Sequence, residues 1–376
     1  MSVKGGLSNR RIDNNSLWTT TSKYSTIFDM RNTSPMIVSL LNAVKDPIKT
    51  AIWKVNPNGA DQSVIDYVRE NFFTRMNFYE FLNYALYFLD YGFMVFEKEW
   101  IADKGKYYVT LHPRMPFSIV SWSYDTKKGK VLSATQVTTS GSVEIPFKNL
   151  FILSNERQTL NPEGQSILRP LYRAYVLEEE VEVASADGLK KNAMGIPIAH
   201  YPDNISEDDE KKIEGFLKGI YSNPSAYFME KGEDVHFRFQ GVEGATANPE
   251  PFLNKLSADV NNSQSAGMLS LSTSNRGSRA VGSTLAPPFY SRIAAIASSI
   301  SFTINNLIKE MVDMNFTTQV YPKIMASGIS AKDMVEKAYA IAALKDQLQG
   351  VDLRQYILDG FEIPITVKEE QNEVGA

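Results

Sequence analysis

Cysteine is absent from all 376 residues, which removes disulfide frameworks, zinc–thiolate sites and thiol nucleophiles together. Histidine is scarce: His112, His200 and His236 are far apart, each in or just after a strand-like stretch, and none has metal-ligand spacing. A basic excess is missing too. Lys and Arg number 39 against 43 Asp and Glu, a formal charge of −4, so no overall positive field exists to capture nucleic acid by counterion release. Long apolar runs are also lacking. The opening "MSVKGGLSNRRIDNNSLWTTTS" has no signal-peptide core. The uncharged run Ile293–Ile308 is short and contains Ser298, Ser299, Asn305 and Asn306, which argues against a bilayer span. The expectation is a soluble intracellular protein that does not grip DNA tightly.

Catalytic motifs are missing with equal consistency. The stretch "GSRAVGST", Gly277–Thr284, has the glycine spacing of a phosphate-binding P-loop but carries Ser283 where the phosphate-neutralising Lys belongs. A helix end is expected before it, and Pro287-Pro288 are expected to delay the next helix beyond it. The carboxylates of Glu178-Glu179-Glu180-Val181-Glu182 point around a helix instead of converging on a substrate, and Asp208-Asp209-Glu210 reads as an acidic first turn. No G-x-S-x-G nucleophile context occurs. Neither an enzyme activity nor a cofactor or metal is expected.

What is present is an ordinary globular composition, 43% hydrophobic and 22% charged, sufficient for two or three subdomains. Residues 1–33 are polar and aperiodic, and read as an arm preceding the fold. From Pro35 a helix is expected up to Asp46-Pro47, then a strand in "TAIWKVNP". Helices at Asp61–Glu70 and across "NFYEFLNYALYFLDYGF" follow, the latter capped by Gly92. Strands then fall on "FMVFEKEW", "KYYVTLHP", "FSIVSWSY", "VLSATQVT" and "NLFILS".

The second half changes character. A helix on the order of 40 Å at ~1.5 Å per residue is expected from Ser166 or Pro170 to Gly195. A unit of strand "IPIAHYP", helix Ser206–Tyr221 and strands "AYFME" and "VHFRFQ" comes next, then a second long helix from Pro251 to about Leu271. This pattern is a helical pair with a small domain at its tip. A third long helix, Pro288–Asn315, carries one stripe of Phe289, Ile293, Ile296, Ile300, Ile304, Leu307 or Ile308, and Met311. A strand "TQVYPKIM", helices Ser330–Gln349 and Asp352–Asp359 and a frayed end complete the chain.

The succession of "LDYGFMVFEKEW", "LHPRMPFSI", "EIPFKNLFILS", "GQSILRPLY", "GIP" and "GSRAVG" resembles, in that order, the portal proteins of tailed phages, in particular the Mu-like branch. The resemblance extends from Pro35 to Pro364. It implies an α+β portal-like subunit: an N-terminal arm at 1–33, an α/β wing at 34–165, a stem of helices 166–195 and 250–272, and a small α/β clip at 196–249. A tunnel loop at 273–287, a long wing helix and strand at 288–328 and a short helical crown with tail at 329–376 complete the layout.

The resemblance further implies a homo-oligomeric ring, usually of twelve copies, at one capsid vertex. It would be the channel through which double-stranded DNA enters and leaves, with weak and non-specific contacts. The implied location is the virion, with the host cytoplasm during assembly. Implied partners are the packaging motor (terminase), a neck or adaptor protein and the major capsid protein, with no membrane. Asn275, Arg276, Gly277, Ser278, Arg279 and Gly282 would face the DNA, the glycines giving mobility and the arginines transient phosphate contacts. Asp208, Asp209, Glu210, Lys211 and Lys212 on the clip helix would form an exchangeable docking face. Two other readings stay open on the residues alone: another head–tail connector or minor capsid subunit, which should lack the stem pair, and a nucleotide-dependent enzyme with a degenerate P-loop.

Overall fold

Helix α1, Ser22–Thr33, is where the described fold begins. The structure, a computed structural model, describes residues 22–329 apart from 126, 159–160, 195, 201–205, 223–235, 241–247, 265 and 267–278. The polar N-terminal arm expected through residue 33 is therefore shorter: Tyr24, Ile27 and Met30 give α1 a buried face. Helix α2, Pro35–Lys49, starts with Ser34 Oγ accepting from Ile37 N at 3.4 Å and with Pro35 in the first turn, where a missing N–H costs least. It continues through Pro47 instead of stopping there, because Ile48 is fully buried and its carbonyl accepts the Trp53 indole N–H at 2.9 Å.

Strand β1 (Ile52–Asn56) leads to α3 (Gln62–Arg69), which widens into a π-helical segment, Glu70–Arg75. There the buried Asn71 amide brackets Val109, accepting from its N–H at 3.0 Å and donating to its carbonyl at 3.3 Å. Helix α4 (Phe78–Ala85) is capped by Asn77, and α5 (Tyr87–Tyr91) ends at Gly92 with φ 90°, a backbone state that glycine adopts without a Cβ clash.

Strands β2 (Phe93–Asp103), β3 (Lys106–Arg114), β4 (Ile119–Asp125), β5 (Lys130–Thr138), β6 (Gly141–Pro146) and β7 (Leu150–Ser154) form two antiparallel sheets, ordered β3-β2-β7 and β4-β5-β6. Five of these were expected; β6 was not. The start of β2, Phe93–Phe96, is buried without interruption, as suits a central strand covered on both faces.

Helix α6 (Tyr172–Met194) follows a 3₁₀ turn, Arg169–Leu171. Then come β8 (Ile196–His200), α7 (Glu207–Ser222), β9 (His236–Gln240) and α8 (Glu250–Ser263). Strands β8 and β9 pair antiparallel, α7 packs on β8, and α6 packs on α8. Helix α8 stops at Ser263 instead of near Leu271. Ser263 Oγ donates to the Val260 carbonyl there at 2.7 Å, a side-chain bond that competes with the backbone ladder. The expected strand "AYFME" and the two C-terminal helices lie outside the described residues.

Helix α9 runs from Arg279 to Asn315 and β10 from Lys323 to Ser327. Most of the expected stripe is the core of this region: Phe289, Ile293, Ile300, Ile304, Leu307, Ile308 and Met311 are buried and Ile296 is half-buried, and α9 packs on α2, β3, β7 and β10. Strand β10 pairs with β1. On its other edge the Asn305 amide accepts from Ile324 N–H at 2.8 Å and donates to its carbonyl at 3.4 Å.

The chain divides into two units, Ser16–Arg169 with Gln264–Ala376, and Pro170–Ser263 with Met1–Asn15. The first holds the sheets of β1–β7 and β10, and the second the α6–α8 pair with its insertion.

Candidate functional site

Of the channel residues read from sequence, Asn275, Arg276, Gly277 and Ser278 lie outside the described residues. Arg279 and Gly282 do not belong to a loop: α9 starts at Arg279 and passes through Gly282, Pro287 and Pro288. The loop expected to extend to 287 is corrected accordingly. Proline holds φ near −65°, which a helix accepts. The stop signal is overridden by the packing stripe that starts at Phe289, 2% exposed. Two N–H donors are nevertheless missing in mid-helix, so the helical turn between residues 283 and 288 is held by fewer hydrogen bonds than the rest. A helix starting inside the glycine motif meets one geometric need of a P-loop. The Lys that would neutralise phosphate charge is still absent, since Ser283 stands in its place.

The clip-helix residues sit on the first turns of α7. Asp208, Glu210, Lys211 and Lys212 are exposed. Asp209 is committed to the helix start: Ser206 Oγ accepts from its N–H at 3.2 Å and donates to its carboxylate at 2.7 Å. Lys212 adds an ion pair with Asp209 at 2.7 Å. Hydrogen bonds from Lys212 and then Ser206 hold the Asp209 carboxyl below its usual range. Ile213 is the buried anchor of this helix, 4% exposed. The sequence joined five residues in one docking face; the structure puts Asp209 and Lys212 to work on the helix itself.

The motif "GQSILRPLY" acquires a physical reason. A Cβ on Gly164 would lie 1.9 Å from the Asn155 carbonyl oxygen and 2.6 Å from that of Gly92, so no side chain fits. Around this contact Asn155 N–H donates to the Gly92 carbonyl at 2.8 Å, Gln165 N–H to the Asn155 carbonyl at 2.7 Å, and Ile167 N–H to the Leu89 carbonyl at 3.0 Å. Ser166 Oγ donates to the Asp90 carbonyl and accepts from Leu168 N–H at 3.0 Å. Ile167, Leu168 and Leu171 are buried. The segment leading into α6 is thus clamped onto α5 and the start of β2.

Beneath this clamp lies a cluster that sequence reading missed. Asp90, fully buried, meets Lys45 Nζ at 2.5 and 2.7 Å, and Arg31 Nε lies 3.3 Å away at an angle that makes an ion contact and not a hydrogen bond. The Arg31 guanidinium stacks 4.4 Å from the centre of the Tyr87 ring. Burial pushes the Lys45 ammonium down despite Asp90. Burial opposes the Arg31 charge as well, yet Asp90 and the Tyr91 and Tyr87 hydroxyls raise its pKa on balance. The cluster ties α1, α2 and α5 together.

Among the described residues no group of three His, Asp or Glu is placed to hold a metal ion. No described helix is long and apolar enough to cross a membrane.

The sequence model of the family described as "Portal protein of Mu bacteriophage" matches residues 24–363. No curated protein matches the chain. Among solved structures, a chain of the "virion of native gene transfer agent (GTA) particle" superposes with TM-score 0.58 at 8% identity, covering 91% of this chain and 94% of that one. A chain from the "neck of native GTA particle computed with C12 symmetry" gives 0.55 at 10% identity, covering 89% and 92%. An HK97-family phage portal protein from Corynebacterium diphtheriae gives 0.50 at 11%, covering 82% and 95%. At such identities these matches speak to the fold.

Proposed function

The chain belongs to the family of portal proteins of Mu-type bacteriophage, and from that premise we propose that its copies close into a ring, with no enzymatic role of their own, that passes DNA at one capsid vertex. The observation that carries the reading is the family match across residues 24–363. The order of elements supports it: a sheet-bearing unit, a paired α6 and α8 separated by a strand–helix–strand insertion, and a 37-residue helix α9. The family is structural; the motor that hydrolyses nucleotide is a separate partner, and the terminase, neck and capsid proteins dock on the ring. Twelve is the copy number proposed.

In this reading α6 and α8 are the stem and β8, α7 and β9 the clip. The docking face comprises Asp208, Asp209, Glu210, Lys211 and Lys212 on the first turns of α7, where Asp209 and Lys212 also serve the helix start. The channel element comprises residues 273–286, its last part helical from Arg279. Arg276 and Arg279, repeated around a ring, form a positive collar on an acidic chain, with a salt dependence of about one counterion per phosphate contacted. Pro287 and Pro288 loosen the helical turn that joins this element to the packed body of α9.

Negative-stain images and light scattering of the purified chain test the proposal. Closed rings are expected, and a strictly monomeric species at high concentration overturns it. Replacing both Arg276 and Arg279 by Ala is expected to alter DNA packaging or retention while rings form normally.

A further inference from the structure

Between α9 and β10 runs a groove of about 490 Å³, lined on the helix by Ala294, Ser298, Ser301 and Phe302 and on the strand side by Met325 and Ile329. Its floor is largely apolar and uncovered: Phe302 is 69% exposed and Met325 46%, in a region where the opposite side of α9 is fully packed. One end is basic. Lys309 and Lys323 line it, with Lys309 Nζ 5.5 Å from the centre of the Tyr321 ring. The described chain ends at the other end of the groove, at Ile329, itself a lining residue. Immediately before it Gly328 has φ 73°, a left-handed turn that redirects the chain after β10.

We propose that this groove seats residues 330–349 of the same polypeptide, folded as an amphipathic helix running back along α9. Continuity is the first reason: Ile329 lines the groove, so docking of the residues that follow it is intramolecular and needs no long linker. Length is the second. From Ala294 to Lys309 the α9 wall measures about 22 Å at 1.5 Å per residue, a distance that a helix beginning at residue 330 covers by about residue 345.

The third reason is pattern. Met334, Ala338, Ile341 and Leu348 recur at helical spacing, and Ala338 is small enough to leave room for the exposed Phe302 ring beside it. Charge is the fourth: the basic end of the groove receives Asp346 and the helix C-terminus, whose free carbonyls favour cations. Lys345, at the mouth, lays its stem along the wall and extends its ammonium into solvent. This is helix-in-groove recognition with the peptide supplied by the chain itself.

The lack of native cysteine makes engineered cross-links unambiguous. Two double variants, Ser298→Cys with Met334→Cys and Asn306→Cys with Ile341→Cys, join the groove to the apolar stripe. Two controls, Ser298→Cys with Glu336→Cys and Asn306→Cys with Ala343→Cys, use the opposite face of the same helix. Under mild oxidation the stripe pairs are expected to close within one polypeptide, giving a faster-migrating monomer on a non-reducing gel, while the control pairs keep free thiols. Hydrogen exchange over 330–349 should be slow, and Phe302→Asp should speed it. Bands of twice the monomer mass would mean that a second copy fills the groove and overturn the proposal; so would equal closure of stripe and control pairs, or closure of neither. The readout concerns a single polypeptide and stands apart from ring formation.

Discussion

Helices α6 and α9 are the two longest among the described residues, and they are stabilised in opposite ways. Helix α9 buries Phe289, Ile293, Ala297, Ile300, Ile304, Leu307, Ile308, Met311 and Val312. Helix α6 has no fully buried residue among its described positions, and Val183 and Leu189 are 58% and 67% exposed. A helix of 23 residues gains little from propensity alone, since most helical stability in proteins comes from packing an apolar face. One helix is completed by its own chain. The other keeps apolar side chains such as Val183 and Leu189 on its surface, which suits the stem role proposed above.

Substitutions can break this contrast, and the largest expected effect is at Asp90. Asp90→Ala leaves two cations facing each other beneath the clamp, and breaking a buried pair in this way costs about 3–5 kcal/mol. Urea denaturation should show that loss in the sheet-bearing unit. Next comes Ile300→Ala in α9, expected to cost about 2–5 kcal/mol through the cavity left behind. Its counterpart Leu189→Ala should change stability by only about 0.5 kcal/mol yet lower the ring fraction in sedimentation. If Leu189→Ala matched Ile300→Ala in denaturation, the contrast between the helices would be wrong.

A subtler test is alkaline titration of the sheet-bearing unit. Burial raises the hydroxyl pKa of Tyr24, Tyr67 and Tyr91. Such groups contribute stability below the unfolded value near 10 and lose it as pH rises beyond that value. Lys45 has the opposite sign: its folded pKa is lowered, so stability rises as pH climbs from that value towards the unfolded one. Tyr24→Phe should flatten the alkaline loss, and Lys45→Met should remove the opposing gain. The most local effect is at Ser206→Ala. It removes the cap on α7 for about 1 kcal/mol and lets the Asp209 carboxyl return towards its ordinary range, a change that carboxyl titration by NMR would register.

Much of the fold is legible where periodicity is long. The α9 stripe, the alternating strands and the Gly92 cap follow from spacing and backbone sterics alone. Helix α1 escaped notice because its buried face is only Tyr24, Ile27 and Met30, too short a period to stand out in a polar context. Strand β6 was missed for a similar reason, since most of its residues are exposed. The start of α9 was misplaced because Pro287-Pro288 is a local stop signal that packing overrides. The Asp90 cluster has no local signature at all: Lys45 and Arg31 come to it from other helices, and only the tertiary structure brings them together. The family-level site was legible as an ordered series of short motifs, of which "GQSILRPLY" now has a steric cause in Gly164.

Asn71 and Asn305 have a consequence for a protein made in many copies. Strand β3 lies at the edge of its sheet and β10 at the edge of a two-stranded pair, and open edges invite further strands to add without limit. At Val109 on one edge and Ile324 on the other, an asparagine amide satisfies both backbone groups in the manner of a neighbouring strand. Each acts as a plug. Crowded subunits are thereby steered away from growing into fibres by backbone zippering, and left to associate through side chains, whose geometry can close.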